Sequence, residues 1–354
     1  MADTPTMAET FKAQAKDCAA NGSDFTARLL TLASAWMAED NPIAARLSAW
    51  PAYGKLDAVP LRFTGAVHAL ALSGKLPAMA AELDKLQSSG KLDADHLWPE
   101  ITAAIEQNSQ FVDRFLDSPP QTNEVGRSAV LMASAQEISR KIDLPIHLLE
   151  AGASAGLNLN FARYNYHLGE GKFGDQTSTL TLAPKWSGPT PPHTVVNVAS
   201  HQSCDASPLD LADRDEVLRL RSYIWADQSA RATRLTAAIE IAKTHPVSVS
   251  RATIGNWLED VLKAPRQGQL TMLYHTIVWQ YLPAYEVALA EARIREAGDR
   301  ATKTAPFARV AMEWVPAISA ADVKLTLWPG GTTHLLGHAH AHGQWIEWKG
   351  LGET

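Results

Sequence analysis

Cysteine is scarce in this sequence, and its scarcity excludes several classes of protein. Of the 354 residues only Cys18 and Cys204 are cysteines, and neither belongs to a C-x-x-C pair. Two isolated cysteines argue against a disulfide framework and against a zinc site made of thiolates. We therefore expect a protein of a reducing compartment that is stabilised by its hydrophobic core.

Long apolar runs and concentrated positive charge are also missing. No stretch has about 18 uncharged apolar residues in a row, and the first residues lack the basic and apolar regions of a signal peptide. The formal charge is -6, and the Lys and Arg residues are spread along the chain. The sequence predicts a cytoplasmic protein that binds a small molecule, with neither nucleic acid nor membrane indicated as a partner. Its oligomeric state stays open.

Two kinds of apolar patterning are present. Residues 8 to 140 place apolar side chains three and four apart between turn signals, which is typical of amphipathic helices. From Pro145 onward, short apolar runs alternate with helical stretches, which indicates an α/β fold with a mostly parallel sheet. We predict a helical N-terminal domain over residues 1 to 120 and an α/β domain over residues 121 to 354.

Five apolar runs of the second domain predict strands, and no strand is expected before residue 140. The predicted strands cover residues 146 to 151, 194 to 200, 246 to 250, 270 to 275 and 308 to 315. Near the C-terminus, DVKLTLWPG and GQWIEWKG can pair as a closing hairpin. A parallel sheet with a terminal antiparallel strand is typical of the Rossmann-like fold of S-adenosylmethionine-dependent methyltransferases. The Gly- and Pro-containing residues 165 to 192 are then an insertion beside the site.

The strongest motif follows the first predicted strand. EAGASAG (150 to 156) matches the methyltransferase pattern acidic-x-G-x-G-x-G except at Ser154. Small residues let the backbone approach a ligand, and a helix beginning near Ala155 would present free N–H groups to a carboxylate or phosphate. The residues predicted to hold the amino-acid end of S-adenosylmethionine are Glu150, Gly152, Ser154 and Gly156.

The same residues match a second motif. GASAG (152 to 156) is also a G-x-S-x-G nucleophile elbow in a strand-turn-helix context, which would make Ser154 the nucleophile of a serine hydrolase. An α/β-hydrolase needs strands and an oxyanion loop upstream of the elbow, whereas the upstream residues here have helical patterning. A non-catalytic ligand-binding protein of the same fold, or a small-residue turn without a ligand, is the remaining alternative.

Two other predicted strand ends supply candidate residues. Asp205 follows the second strand, where a carboxylate can accept hydrogen bonds from both ribose hydroxyls, although a cap or an Asx-turn is an equal alternative. His275 stands at the end of the fourth strand. It is the candidate catalytic acid-base residue near a small or medium polar methyl acceptor, and a buried histidine satisfied by the backbone is the alternative.

Histidines alternate near the C-terminus at His338, His340 and His342. On a strand this spacing would project all three from one face, a geometry compatible with zinc or another divalent ion. Because the segment has no clear carboxylate partner, we predict packing or surface histidines and no bound metal. A metal-dependent enzyme that uses this cluster is the alternative.

Several blocks of the sequence resemble the bacterial family known as domain of unknown function 2332. The blocks are QTNEVGRSAVL (121 to 131), LLEAGASAGLNLNFARYNY (148 to 166), CDASPLDL (204 to 211), RLRSYIWADQSARATRL (219 to 235) and YHTIVWQYL (274 to 282). The methyltransferase likeness of that family rests on its fold and glycine motif, so the resemblance implies a fold and no particular reaction. It also implies that the first block covers the cofactor pocket. The candidates for lining that pocket are Gln121, Asn123, Glu124, Arg127 and, from the second block, Asn158.

Overall fold

The computed structural model describes residues 5–50, 57–86 and 91–352. The chain divides into two compact units. The first comprises Met1–Thr122 with Ala212–Thr233, and the second comprises Asn123–Leu211 with Arg234–Thr354. The chain therefore leaves the second unit after Leu211 and returns to it at Arg234.

The described part of the chain contains both helices and strands. The helices are α1 (Met7–Ala20), α2 (Asp24–Trp36), α3 (Pro42–Ser48), α4 (Val59–Leu72), α5 (Pro77–Leu86), α6 (Ala94–Gln107), α7 (Ser109–Asp117), α8 (Ser128–Lys141), α9 (Arg214–Ser222), α10 (Ser229–Thr244), α11 (Ile254–Val261) and α12 (Ala284–Arg300). The strands are β1 (Ile146–Ala151), β2 (Asn165–Leu168), β3 (Gly171–Gly174), β4 (Thr181–Leu182), β5 (Lys185–Ser187), β6 (Val198–Asp205), β7 (Ser250–Arg251), β8 (Leu270–Thr276), β9 (Phe307–Val315), β10 (Ala320–Trp328), β11 (Thr332–Ala339) and β12 (Trp345–Trp348). None of the described helices combines the length and the apolar character that crossing a membrane requires.

The first unit is helical within its described residues, and α4 is its central helix. Twelve of the fourteen residues of α4 are buried, as expected of a helix that neighbours surround on all sides. Phe63 packs against the rings of Phe11 and Trp36, with centroids 5.7 and 6.2 Å away. His68, also on α4, donates from Nδ1 to the carbonyl oxygens of Ser222 and Ile224. This buried polar side chain is thus satisfied by main-chain acceptors.

A large sheet organises the second unit. Its strand order, in the described residues, is β5-β12-β11-β10-β9-β8-β1-β6-β7. The five strands from β9 to β7 are parallel to one another, β10, β11 and β12 continue from β9 as antiparallel neighbours, and β5 is parallel to β12. Every residue of β1 and β8 is buried, which is typical of parallel strands covered on both faces. The fold is mixed α/β with a large, mostly parallel sheet.

The strand predictions are most accurate at the centre of this sheet. The predicted strands at 146 to 151, 270 to 275 and 308 to 315 are observed as β1, β8 and β9, whereas that at 194 to 200 is displaced to β6 and that at 246 to 250 is reduced to β7. Only the last residues of β6 pair with β7, so most of β6 lies at the edge of the sheet. Several of its residues are exposed, and the apolar pattern that would mark the strand in the sequence is therefore weak. As predicted, no strand precedes β1 within the described ranges.

The predicted closing hairpin is wrong. DVKLTLWPG forms most of β10 and GQWIEWKG contains β12, but these two strands do not pair with each other. The segment between them is itself a strand, β11, and pairs with both. Short turns connect β9 through β12, and strands joined by short turns pair with their sequence neighbours. Residues 165 to 192, predicted as an insertion, contain the small sheet β3-β2-β4 together with β5.

In the first unit a partly buried carboxylate, Asp227, holds the N-terminus of α2. Asp227 Oδ2 accepts a hydrogen bond from the backbone N–H of Phe25 at 3.1 Å, and Oδ1 accepts one from the Ser23 hydroxyl. Burial raises the pKa of Asp227 above its ordinary value, and these two hydrogen bonds oppose that rise. Asp227 therefore satisfies donors at a helix start that would otherwise be without acceptors.

We expect Asp227→Ala to lower the free energy of unfolding by about 1 to 3 kcal/mol, because two donors lose their acceptor. Urea unfolding followed by circular dichroism would measure the change. Asp40→Ala, which removes an exposed carboxylate of the same unit, is the matched control. Equal stability of the two variants would show that the Asp227 hydrogen bonds do not hold α2.

Candidate functional site

The candidate site lies at the carboxyl ends of the central parallel strands of the second unit. The chain continues from β1 to β6 on one side of β1 and later reaches β8 on its other side. Carboxyl ends of strands at such a reversal form the crevice in which open α/β sheets bind ligands. Glu150 on β1 pairs in register with Ser203 on β6 and Tyr274 on β8. The structure thus brings the predicted residues Glu150, Asp205 and His275 to one edge of the sheet.

The turn after β1 has three residues with positive φ. They are Gly152 at 73°, Ser154 at 55° and Gly156 at 73°. Glycine adopts this conformation readily, whereas serine does so rarely and needs support. Asp205 supplies it, because its Oδ2 accepts a hydrogen bond from Ser154 N–H at 2.9 Å. Asp205 Oδ1 also accepts from the N–H of Ser207 at 2.8 Å, so the Asx-turn considered as an alternative is present.

The helix predicted to begin near Ala155 begins at Leu157 and is a 3-10 helix rather than an α-helix. Leu157–Arg163 forms a 3-10 helix of seven residues. Asn123 Oδ1 accepts from Leu157 N–H at 2.9 Å, and the hydroxyls of Tyr164 and Tyr166 donate to the carbonyl oxygens of Leu157 and Phe161. These side chains form hydrogen bonds with main-chain N–H and carbonyl groups that would pair with one another in an α-helix. The N–H of Leu157, which the prediction left free for a ligand, is therefore already bonded.

Packing accounts for two of the glycines. A Cβ on Gly152 would lie 2.6 Å from Val278 Cγ2, and a Cβ on Gly156 would lie 2.7 Å from Val247 Cγ2. Both distances are shorter than van der Waals contact, and both residues already have positive φ. The chain itself, through these valines, fills the space beside each glycine.

Glu150 is a buried carboxylate with an unused oxygen. The residue is 3% exposed. Asn158 Nδ2 donates to Oε1 at 3.4 Å, while Oε2 has no hydrogen-bond partner among the described residues. Burial raises the pKa of Glu150 to about 8; the Asn158 hydrogen bond and the Arg127 charge oppose this rise, and the Asp205 charge adds to it. A cationic partner would restore the charged form of this group.

Of the pocket residues proposed from the resemblance, Asn158 and Arg127 interact with Glu150. Asn158 Oδ1 accepts from the Ser128 hydroxyl at 2.7 Å, which fixes the amide that contacts Glu150. Glu124 Oε1 accepts from Gly126 N–H at 3.1 Å and thereby caps a 3-10 turn. Arg127 donates to the carbonyl oxygens of Ala341 and Thr276. Gln121 belongs to the first unit.

Sequence reasoning missed Tyr274. Its side chain is fully buried, and its hydroxyl donates to the carbonyl oxygen of Arg127 at 3.2 Å. Burial, with the negative charge of Glu150 as the next cause, raises the pKa of Tyr274. Side chains alternate between the two faces of a strand, so Tyr274 lies on the same face as its register neighbour Glu150, and His275 lies on the opposite face. This alternation is the sequence signal that could have identified Tyr274.

His275 is fully buried, and both of its ring nitrogens are bonded. Nδ1 donates to Glu313 Oε1 at 2.7 Å, and Nε2 accepts from Arg309 Nε at 3.0 Å. Burial lowers the pKa of His275, opposed by the hydrogen bond to Glu313. The neutral ring thus has neither nitrogen available to an acceptor molecule, and its predicted acid-base role gains no support from this geometry.

The residues after His275 are held by contacts with the His275 ring and with Arg309. Trp279 stacks on the imidazole with 3.6 Å between ring centroids, and its Nε1 donates to Glu291 Oε1 at 2.8 Å. Arg309 forms a two-pronged ion pair with Glu291 and lies 5.1 Å from the Trp279 ring centroid. Ile277 has a φ of 51°, a conformation that costs a β-branched residue about 1 to 3 kcal/mol.

The C-terminal histidines do not share one strand. His338 lies on β11 and bonds through Nδ1 to Asp322 Oδ1 at 3.1 Å. His340 and His342 lie in the turn beyond β11, where His340 Nδ1 accepts from His342 N–H at 3.0 Å. Across the described ranges, no group of three or more His, Cys, Asp or Glu residues is arranged to hold a metal ion.

Fold and site together define a mixed α/β protein with a buried glutamate, Glu150, at the carboxyl edge of a large sheet. The family model described as "Uncharacterized protein conserved in bacteria (DUF2332)" matches residues 8–348. The chain belongs to this family. No curated protein and no solved structure matches it.

Glu150→Gln is expected to flatten the pH dependence of stability. The Glu150 pKa is about 8 in the folded state against an ordinary 4.5, so between these values the folded state holds a proton that the unfolded state has released. The contribution of Glu150 to stability is fully present below about pH 4.5 and is lost as the pH rises to about 8. The loss is on the order of 3 to 5 kcal/mol.

Urea unfolding at several pH values between about 4.5 and 9 would measure this effect. Glu170→Gln, at an exposed position of the same unit, is the control and should follow the unmodified protein. If Glu150→Gln gave the same pH profile as the unmodified protein, Glu150 would not carry the raised pKa.

Proposed function

We propose that this protein is an S-adenosylmethionine-dependent methyltransferase that acts on a small or medium polar acceptor. The cofactor would bind at the carboxyl ends of β1, β6 and β8. The five parallel strands support this proposal: numbered along the chain, they have the spatial order 3-2-1-4-5, which is the order of the Rossmann-like dinucleotide-binding sheet.

One observation carries the proposal: Glu150 is a buried carboxylate whose Oε2 has no partner among the described residues, and it is followed directly by the positive-φ turn. Leaving such a group unpaired in the protein interior is costly. A ligand with an ammonium group would supply both the missing donor and a positive charge. The amino-acid end of S-adenosylmethionine is a ligand of this kind.

Other side chains at the edge fit the remaining parts of the cofactor. Ser154 Oγ is buried without a hydrogen-bond partner in the described structure, so it can donate to the ligand carboxylate. Asp205 accepts backbone N–H groups with its oxygens and stands at the end of β6, where a carboxylate can bind ribose hydroxyls. Both residues would therefore bind the ligand while they keep the turn in place.

The bound cofactor would supply an electrophilic methyl group to a nucleophilic atom of the acceptor. The protein contributes by orienting the two reactants, which by itself can account for a large rate enhancement. Because both nitrogens of His275 are bonded to Glu313 and Arg309, we assign His275 a positioning role and no proton transfer.

A serine hydrolase is the second candidate, and the conformation of Ser154 favours it. Its φ of 55° is a feature expected of the strained turn of a nucleophile elbow. An active nucleophile, however, needs a base within hydrogen-bond reach. No histidine among the described residues bonds Ser154 Oγ, and no described strand precedes β1. A non-catalytic protein that binds the same ligand is the third candidate.

Calorimetric titration with S-adenosylhomocysteine tests the proposal. We expect the unmodified protein to bind it with release of a proton from Glu150 at neutral pH, seen as an enthalpy that depends on the buffer. Ser154→Gly should bind within about tenfold, or about 1.4 kcal/mol, because glycine accepts the positive φ and only one hydrogen bond is lost. Glu150→Gln should bind at least about tenfold more weakly and release no proton, with Glu170→Gln as the control.

The alternatives predict other outcomes. No binding of S-adenosylhomocysteine, together with fluorophosphonate labelling of the unmodified protein that Ser154→Gly abolishes, would identify a serine hydrolase. Tight binding without methyl transfer to any acceptor in a broad screen of polar small molecules would identify the non-catalytic protein.

A further inference from the structure

The segment that follows β8 covers one side of the glycine turn. Val278 is the residue of this segment nearest to Gly152: its Cγ2 and Cγ1 lie 2.6 and 2.8 Å from the position that a Gly152 Cβ would take. Val278 is only partly buried, so its outer side stays accessible. A ligand seated against the backbone of Gly152 must therefore also contact Val278.

The position of Val278 is set through its main chain. The Val278 N–H donates to both carboxylate oxygens of Glu313, at 3.2 and 3.1 Å. Glu313 is oriented in turn by His275, and His275 by Arg309. A chain of three side chains, of which His275 is buried and Glu313 and Arg309 are partly buried, thus determines how far the Val278 methyl groups lie from the turn.

The backbone immediately before Val278 is strained. The residue before Val278, Ile277, has a positive φ that β-branched residues avoid, and its N–H is held by the carbonyl oxygen of Met312 at 2.7 Å. Strained backbone of this kind persists only where the surrounding structure imposes it, and it is concentrated at ligand sites. Here the strain turns the chain so that Val278 meets Gly152.

We propose that Val278 is a specificity-determining residue of the site, and that His275, Arg309 and Glu313 are positioning residues that fix its distance from Gly152. The inference rests on the proposed function, since it takes the amino-acid end of S-adenosylmethionine to lie at the turn. Because the Val278 methyl groups lie beside Gly152, a larger side chain at this position would take further space at the turn.

Substitutions at Val278 test the specificity role with three ligands. Calorimetric titration would compare S-adenosylhomocysteine, methionine and adenosine, which lacks the amino-acid chain. We expect Val278→Leu to weaken the binding of S-adenosylhomocysteine and of methionine by at least about tenfold, and the binding of adenosine by less than about threefold. Val278→Ala should bind the first two at least as tightly as the unmodified protein. Val195→Leu, at a position 87% exposed in the same unit, is the control for added bulk.

The positioning role is tested without any ligand. Hydrogen exchange measured by mass spectrometry would follow the peptide covering residues 276 to 282. Glu313→Ala should speed its exchange by at least about tenfold, because the acceptor of Val278 N–H is gone, and Glu313→Gln, which keeps one acceptor oxygen, should restore part of the protection. Thermal unfolding would show that both variants fold.

The results separate this inference from the proposed function. If the unmodified protein binds S-adenosylhomocysteine and both Val278 variants bind all three ligands like the control, the inference is wrong and the proposed function stands. Unchanged exchange in Glu313→Ala would show that Glu313 does not position Val278. If the unmodified protein does not bind S-adenosylhomocysteine, the proposed function fails, and the specificity assigned to Val278 fails with it.

Discussion

The hydrogen bond from Ser154 N–H to Asp205 is the interaction on which the candidate site depends. The carbonyl oxygen of Cys204, the residue before Asp205, accepts from the N–H groups of Gly152 and Ala153, so the parallel pairing of β1 with β6 extends into the turn. Asp205 accepts a hydrogen bond from the next N–H group, that of Ser154. Ser154 has a positive φ, a conformation that serine rarely adopts. Because the turn is fixed from β6, Glu150 and Ser154 Oγ have defined positions before any ligand arrives.

The sheet separates two polar systems that are adjacent in sequence. Tyr274 and His275 are neighbours on β8, yet alternation directs them to opposite faces. On one face Tyr274 shares its surroundings with Glu150 and Asn158, where a carboxylate oxygen is unused. On the other face every polar atom of the His275 ring is bonded. A single strand therefore separates a face that has an unpaired carboxylate oxygen from a face on which the His275 ring is fully bonded.

Sequence patterns predicted the strands that are determined by neighbouring residues in the chain. They missed the features that depend on hydrogen bonds to residues distant in the sequence. The central strands β1 and β8 follow from short, mainly apolar runs. The spacing of the small residues after β1 singled out Glu150 as a candidate. The 3-10 helix at Leu157–Arg163 did not follow from such patterns, because Asn123, which binds its first N–H, lies 34 positions earlier in the chain. The partners of His275 are likewise 34 and 38 positions away, so its ring could be described only as buried or catalytic. Periodicity does not encode such pairings.

Comparison among the buried glutamates shows why Glu150 points to a ligand. Glu137 accepts from Trp348 Nε1, and Glu286 accepts from Gly255 N–H. Glu124 accepts from Gly126 N–H. Each of these carboxylates satisfies a donor of the fold, which is the usual condition for burying a polar group. Glu150 differs, since its Oε2 is a buried carboxylate oxygen that no donor in the described residues reaches. The fold satisfies its other buried glutamates and leaves one oxygen of Glu150 without a donor among the described residues, at the strand ends where parallel sheets commonly bind ligands.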